Sequence, residues 1–318
     1  MKAPGFWSRP PGPLSHLLSP LGALYARGTA RRVARAGARV GVPVICVGNL
    51  TAGGAGKTPT VIALAERLAA RGVAVHVVSR GHGGRLEGPV QVDAARHDAA
   101  EVGDEPLLLA AFAPTWVAKD RAAGARAAVA AGAQAVLLDD GFQNPALVKD
   151  LSIVVVDAGA GFGNGRVIPA GPLREPVAAG LARADLTLTI GDGTVALPDE
   201  PPRLRGHLVP LRTGMDWAGL PVFAFAGIGR PEKFFDTLRT LGVELRGTEA
   251  LSDHQPLTPA LLRRLGERAA KLSAQPVTTE KDAVRLPPAL RGRVLTLPVR
   301  LEIEDDAPLK TALARIGL

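Results

Sequence analysis

The residues with the clearest chemistry lie between positions 51 and 58, where the chain reads Thr51-Ala52-Gly53-Gly54-Ala55-Gly56-Lys57-Thr58. This is the pattern G-x-x-x-x-G-K-[ST] with Thr51 in place of the first glycine. Glycines let backbone N–H groups turn inward around phosphate oxygens, and a helix starting at the lysine adds favourable partial charge. Lys57 is placed to reach the β- and γ-phosphates of a nucleotide such as ATP, and the Thr58 hydroxyl suits Mg²⁺. A lone GKT triplet is common by chance. Here it stands between the apolar run VPVICV (42–47) and an Ala-rich helical stretch, which makes it specific.

A phosphate loop of this kind needs an acid at the end of a neighbouring strand to organise the metal. AVLLDD (135–140) ends in Asp139 and Asp140, two adjacent carboxylates that call for a nearby cation. Transfer to an unactivated hydroxyl also needs a proton acceptor, and a carboxylate or imidazole serves. From the residues alone, Asp104 in GDEP reads equally as a helix N-terminus, and His254 in SDHQP as a loop histidine. Gln143 is a candidate for holding metal-bound water or nucleotide. Arg80, Arg85 and Arg174 are candidates for anionic groups, against surface ion pairs as the plain alternative.

The elements that must position these groups follow from the alternation of short apolar β-branched runs with Ala-rich stretches. Strands are expected at 42–47, 73–79, near Trp116, and at 135–140, 151–157 and 186–190, with helices at 58–71, 104–112 and 120–132. Such strands imply a mostly parallel sheet covered by helices on both faces. The stretch Leu197–Trp217, rich in proline and arginine, reads as a linker. Beyond it, strands at 222–228, VELRGTE and PVTTEKD alternate with helices at 231–241 and 258–272. The expected fold is α/β: a phosphate-loop domain over 41–215 and a smaller α/β lobe over 216–318.

Residues 1–40 stand apart as a basic amphipathic segment. They carry Lys2, Arg9, Arg27, Arg31, Arg32, Arg35 and Arg39 and no acid, the first acid being Glu66. With 38 basic and 30 acidic residues in all, most of the net charge of +8 is terminal. A nucleic-acid binder carries its charge on the folded body, so no nucleic-acid partner is expected. Leu14, Leu17, Leu18, Leu21, Leu24 and Tyr25 share one helical face. The stretch is short and proline-broken for a membrane span, and an anionic membrane surface suits it better. Pro20 is expected to kink or divide the helix. The one cysteine, Cys46, excludes an internal disulfide and reads as a buried apolar residue.

With the phosphate loop, DDGFQ (139–143), GNGRVIPAGPLREP (163–176), FAGIGRPEKFF (225–235) and SDHQP (252–256) in one order, the chain closely resembles the tetraacyldisaccharide 4′-kinase family of Gram-negative bacteria. The resemblance runs to TTEKD (278–282), and within that family the loop usually opens with Ser or Thr, as Thr51 does here. Asn144 departs from the His usual after DDGFQ, and Gln255 stands where a second His or a similar residue is common. The resemblance implies transfer of the ATP γ-phosphate to the 4′-hydroxyl of a tetraacylated disaccharide 1-phosphate lipid, giving lipid IVA. It also implies Asp104 and His254 as an acid–base pair, and work at the cytoplasmic face of the bacterial inner membrane. The competing readings are a phosphate-loop kinase or ATPase acting on another acceptor. A guanine-nucleotide switch lacks support, since neither D-x-x-G nor N-K-x-D occurs at the needed spacing.

Overall fold

The computed structural model describes residues 4–318, so Lys2 of the basic segment lies outside the described residues. A 3₁₀ turn at Gly5–Ser8 leads into helix α1 (Pro13–Val33). Next come β1 (Val44–Gly48), α2 (Lys57–Ala70), β2 (Val75–Ser79), β3 (Val90–Gln91), α3 (Ala99–Val102), α4 (Asp104–Leu109) and β4 (Thr115–Val117). Then follow α5 (Arg121–Ala130), β5 (Ala135–Asp139), β6 (Leu151–Asp157), α6 (Val177–Leu181), β7 (Leu186–Ile190) and β8 (Arg203–Pro210). A second unit holds β9 (Pro221–Ala226), α7 (Pro231–Thr240), β10 (Glu244–Ala250), α8 (Pro259–Lys271), β11 (Gln275–Thr279), α9 (Glu280–Ala283), α10 (Pro288–Arg291) and β12 (Leu295–Leu297). The chain closes with β13 (Val299–Ile303) and α11 (Ala307–Arg315).

Among the described residues, the larger sheet has the order β13-β8-β7-β6-β1-β5-β2-β4-β3. It is parallel except at its two edges, where β13 and β3 run antiparallel. β1 lies between β5 and β6, with Val47 opposite Asp139 and Ile153. Its side chains alternate between two cores. Ile45 and Val47 join Val61, Leu64 and Leu68 of α2. Val44 and Cys46 join Ala122, Ala125 and Ala128 of α5. The alanines let α5 lie close to the sheet, and both faces are thereby dry, as parallel sheets require. The phosphate loop and Asp139 therefore emerge together at the carboxyl ends of adjacent strands, where open α/β sheets place their ligands.

The second sheet, β10-β9-β11-β12, is wholly parallel. Val222, Ala224 and Ala226 pack on Phe234, Phe235 and Leu238 of α7, and Phe223 and Phe225 pack on Leu265 and Ala269 of α8.

Three expectations change. The supposed linker over Leu197–Trp217 contains β8, which pairs with β7 and β13. Leu204 and Gly206 are buried while Arg203 and Arg205 face out, an alternation hidden by the surrounding prolines and arginines. The chain also does not stay in the second unit to its end. β13 and α11 return to the larger sheet, where Leu301, Leu309 and Leu313 complete the core beneath α2. Of the two outcomes expected at Pro20, a kink or a division, the second is excluded, since α1 is continuous from Pro13 to Val33. The hydrogen bond that proline cannot donate would have gone to His16 O, and both residues are exposed, so water can satisfy the freed carbonyl.

Helix α1 docks by a stripe of small residues, Ser15, Gly22 and Thr29, each buried and seven residues apart. The Ser15 hydroxyl donates to Ala170 O at 2.8 Å. Gly22 passes so close to Val167 that a Cβ would sit 2.8 Å from its carbonyl oxygen. Leu14, Leu17, Leu21, Leu24 and Tyr25 are consequently left exposed, Leu17 at 75%. Among the described residues, no helix is long and apolar enough to cross a membrane.

Candidate active site

The phosphate loop joins β1 to α2. Gly56 sits at φ +93°, and a Cβ there would meet Ile190 at 2.7 Å, so glycine is needed for both conformation and space. The loop is held from one side by the segment 172–175. Ala52 N–H donates to Pro172 O at 2.7 Å, Thr51 bridges Leu173, and Arg174 N–H donates to Leu50 O at 2.7 Å. Inside the loop, Asn49 Nδ2 donates to Gly53 O at 3.2 Å. Lys57 Nζ donates to Asn49 Oδ1 at 3.3 Å and lies 3.8 Å from Asp140 Oδ2. Thr58, buried at the head of α2, follows directly.

Asp139 and Asp140 share a strand end and differ in environment. Asp139 is 1% exposed; its Oδ2 accepts from Ser79 Oγ at 3.1 Å, and its Oδ1 has no partner among the described residues. Burial first, then the charges of Glu105 and Asp140, push its carboxyl up to about 7. Asp140 is also pushed up by burial, but Lys57 and Arg174 outweigh that and hold it below the usual carboxylate range. Arg174 grips it with both nitrogens, at 2.7 and 3.2 Å. Asp140 sits at φ +52°, a left-handed conformation costly for a residue other than glycine.

Other expected residues fall into supporting places. The Gln143 amide donates to Asn49 O and Glu175 Oε1, both at 2.9 Å, and accepts from Arg174 at 3.4 Å. Gln143 is therefore committed to the protein, and it links the phosphate loop to Arg174 and Glu175. Arg174 is likewise occupied by Asp140. Arg85 forms a surface ion pair with Glu101. Arg80 follows β2 at the same carboxyl end of the sheet and is exposed.

Asp104 and His254, 150 residues apart, meet across the two units. His254 Nδ1 lies 3.0 and 2.9 Å from the two oxygens of Asp104. Asp104 is 4% exposed, and its Oδ1 also accepts from Glu105 N–H. Burial works to raise its carboxyl, yet the His254 hydrogen bond and the charges of Lys281 and Arg285 prevail and hold it low. The hydrogen bond to Asp104 raises the imidazole above its ordinary value, against burial and Lys281. His254 also takes the left-handed conformation, at φ +55°, with its N–H donating to Gly227 O at 3.1 Å. His82 stands edge-on to its ring, centroids 5.8 Å apart.

Several residues here were not singled out from sequence. Asp282, fully buried, accepts from Gly227 N–H at 3.0 Å and from Thr279 Oγ1 at 2.7 Å, and pairs with Arg285. Arg285 in turn donates to Gln255 O at 2.7 Å. The end of β11 thus braces the loop that carries His254. Arg121, buried behind the acidic pair, donates to Asp140 O at 3.0 Å. Arg230 and Lys233 of the second unit clasp Asp157 at the end of β6, at 2.5 and 2.6 Å. The TTEKD run marked α9 as noteworthy. Arg121 and Asp157 gave no sign, since each reads locally as an ordinary helix or strand end.

A family profile described as tetraacyldisaccharide-1-P 4′-kinase matches residues 14–317. A tetraacyldisaccharide 4′-kinase of Dinoroseobacter shibae is 67% identical over 98% of this chain and 97% of its own length. One from a Jannaschia species is 62% identical over 99% of each. Among solved structures, the "apo" form of LpxK from Aquifex aeolicus in complex with ATP matches with a TM-score of 0.76. It is 26% identical, covering 96% of this chain and all of that one.

The raised Asp139 carboxyl has a measurable consequence. An unfolded aspartate loses its proton near pH 3.9, whereas the folded one keeps it to about 7. Between those values the folded state binds the extra proton, so stability falls as pH rises through the window and levels off above it. Asp139→Asn removes this dependence. In thermal melts of nucleotide-free protein from pH 5 to 8, the gap between variant and wild type should widen in the variant's favour. A constant gap would contradict the assignment.

Proposed function

The chain belongs to the tetraacyldisaccharide-1-P 4′-kinase family, and from that premise we propose its reaction. The γ-phosphate of ATP passes to the 4′-hydroxyl of a tetraacylated glucosamine disaccharide 1-phosphate, giving lipid IVA for lipid A synthesis. The observation that carries this reading is the meeting, at the carboxyl end of the larger sheet, of a phosphate cradle from one unit with a proton-accepting pair completed by the other.

The backbone of residues 51–58 and the ammonium of Lys57 hold the β- and γ-phosphates of ATP. Gly229 of the second unit lies over the loop, a Cβ there being 3.5 Å from Gly54 N, so closure of the units shields the phosphates from water. As the acceptor oxygen bonds to the γ-phosphorus, the bond from that phosphorus to the β,γ-bridging oxygen breaks and ADP leaves. The hydroxyl proton passes to the Asp104–His254 pair. The imidazole is the more exposed member, and the buried carboxylate steadies the charge it gains.

Residues for Mg²⁺ fit as well. Asp139 Oδ1 is a buried oxygen with no partner among the described residues, and two carboxylates lie side by side. Thr58, Asp139 and Asp140 would supply hard-oxygen donors of the kind Mg²⁺ takes. When bound, the ion neutralises phosphate charge during transfer.

Helix α1 is proposed to rest on the cytoplasmic face of the inner membrane as a peripheral anchor. Its exposed leucines are free because its small-residue stripe does the docking. Arg27, Arg31, Arg32 and Arg35 suit anionic headgroups, at about 1 kcal/mol each near such a surface.

Incubation with γ-labelled ATP, Mg²⁺ and the disaccharide 1-phosphate lipid should move label into lipid; label appearing only as free phosphate would refute the kinase reading. Asp104→Ala and His254→Ala should each lower kcat by roughly 10²–10⁴-fold with ATP affinity nearly unchanged. Near-normal turnover in both would remove the pair from the mechanism. Leu17→Asp with Leu21→Asp should abolish sedimentation with anionic vesicles while leaving the thermal midpoint in place. Unchanged sedimentation would place the membrane contact elsewhere.

A further inference from the structure

The imidazole of His254 is held from both sides. Asp104 of α4 faces Nδ1, and Lys281 of α9 places its Nζ 3.2 Å from Nε2. A carboxylate can only accept a hydrogen bond and an ammonium can only donate one. The pair of contacts is satisfied in one way: Nδ1 carries hydrogen toward Asp104, and Nε2 offers its lone pair to Lys281. An imidazolium would bring a second N–H against the ammonium. We propose that Lys281 is a positioning residue for the proton-accepting pair, opposing protonation of His254 and fixing its neutral form as the tautomer with the lone pair on Nε2. This rests on the reading of Asp104 and His254 as that pair.

The need for such a residue follows from Asp104. A buried carboxylate beside an imidazole favours its charged form, and a histidine already carrying the extra proton cannot take another from the acceptor hydroxyl. The groups facing His254 are Asp104 from α4, Lys281 from α9, Asp253 on its own loop at 3.7 Å from Nε2, and His82 edge-on. Arg285 stands behind Asp104, 3.8 Å from Oδ2. The two carboxylates work toward protonation, and Lys281 is the positive charge in direct contact that opposes them.

Lys281 is built to stay an ammonium in this place. Its side chain is 19% exposed, its Nζ donates to Glu105 Oε1 at 3.0 Å, and Asp253 lies at 4.0 Å. Burial would lower it, but Glu105, Asp104 and Asp253 prevail and raise it. Helix α9 is fixed by the Thr279 cap and by Glu280, which accepts from Val299 N–H and Arg300. The Glu105 bond crosses from the second unit to the first, so the tautomer is set only when the units are together. It also gives Lys281 an acceptor to keep when the incoming hydroxyl takes Nε2.

The test is the ring ¹⁵N spectrum of His254 in full-length protein without substrates, assigned with His254→Gln and followed over pH. In wild type the neutral form should show Nδ1 protonated and Nε2 bare. In Lys281→Met the midpoint of protonation should rise by about one pH unit, and Lys281→Arg should follow wild type. The acid limb of kcat/KM, which requires the neutral ring, should move to higher pH by the same amount in Lys281→Met. An unmoved midpoint, a wild-type proton on Nε2, or a uniform loss of activity with an unmoved limb would each overturn the proposal. Should Lys281→Met not fold, Lys281→Gln keeps a donor without the charge, and the raised midpoint is required of it as well. The spectrum needs no acceptor, so failure of the tautomer and failure of label transfer into lipid are separate results.

Discussion

A hydrogen bond of 2.9–3.0 Å between Asp104 and His254 joins two separately cored sheets, and much of the local backbone exists to allow it. Asp104 opens α4 behind Gly103, whose φ of +91° turns the chain sharply into the helix. His254 reaches back only in a left-handed conformation, kept there by its own N–H on Gly227 O. Gly227 is in turn anchored by Asp282, and Gln255 by Arg285. Strain of this kind persists where surrounding contacts over-determine it. The second sheet thus acts as a mount for one imidazole, pressed toward a carboxylate of the first.

The phosphate side obeys a parallel logic. Asp140 is the other non-glycine residue of the site in a left-handed conformation, and its carboxylate is locked by Arg174 and Lys57. Arg174 belongs to the segment whose earlier residues receive α1. Asn164 donates to Ala170 O at 2.9 Å and to Ser15 Oγ at 3.3 Å, and Trp7 Nε1 donates to Pro169 O at 3.2 Å. Residues 164–175 therefore form one continuous brace. At one end it receives the N-terminal helix, and at the other it fixes the loop and its acid.

The parallel core was legible because its strands are short, apolar and regularly spaced. The phosphate loop was legible because its glycines have a steric purpose. β8 escaped because a half-buried strand among prolines and arginines carries its signal in alternation, here only Leu204 and Gly206. β13 and α11 escaped because nothing local tells a chain to leave one core and return to another. Gln143 and Arg174 read from sequence as candidates for ligand contacts. In the structure Gln143 holds Asn49 O and Arg174 holds Asp140, a distinction that depends on partners 30 or more residues away. The contact of Lys281 with His254, 27 residues apart, is equally invisible to a local reading.

Asp104 and His254 are proposed to act as one unit across the two lobes. The most direct measurement of this is single-turnover transfer of label from γ-labelled ATP by Asp104→Asn, His254→Asn and the double variant. A unit loses its function once, so the double variant should be no slower than the slower single one. Losses that multiply would show two independent contributions and rule out a single unit.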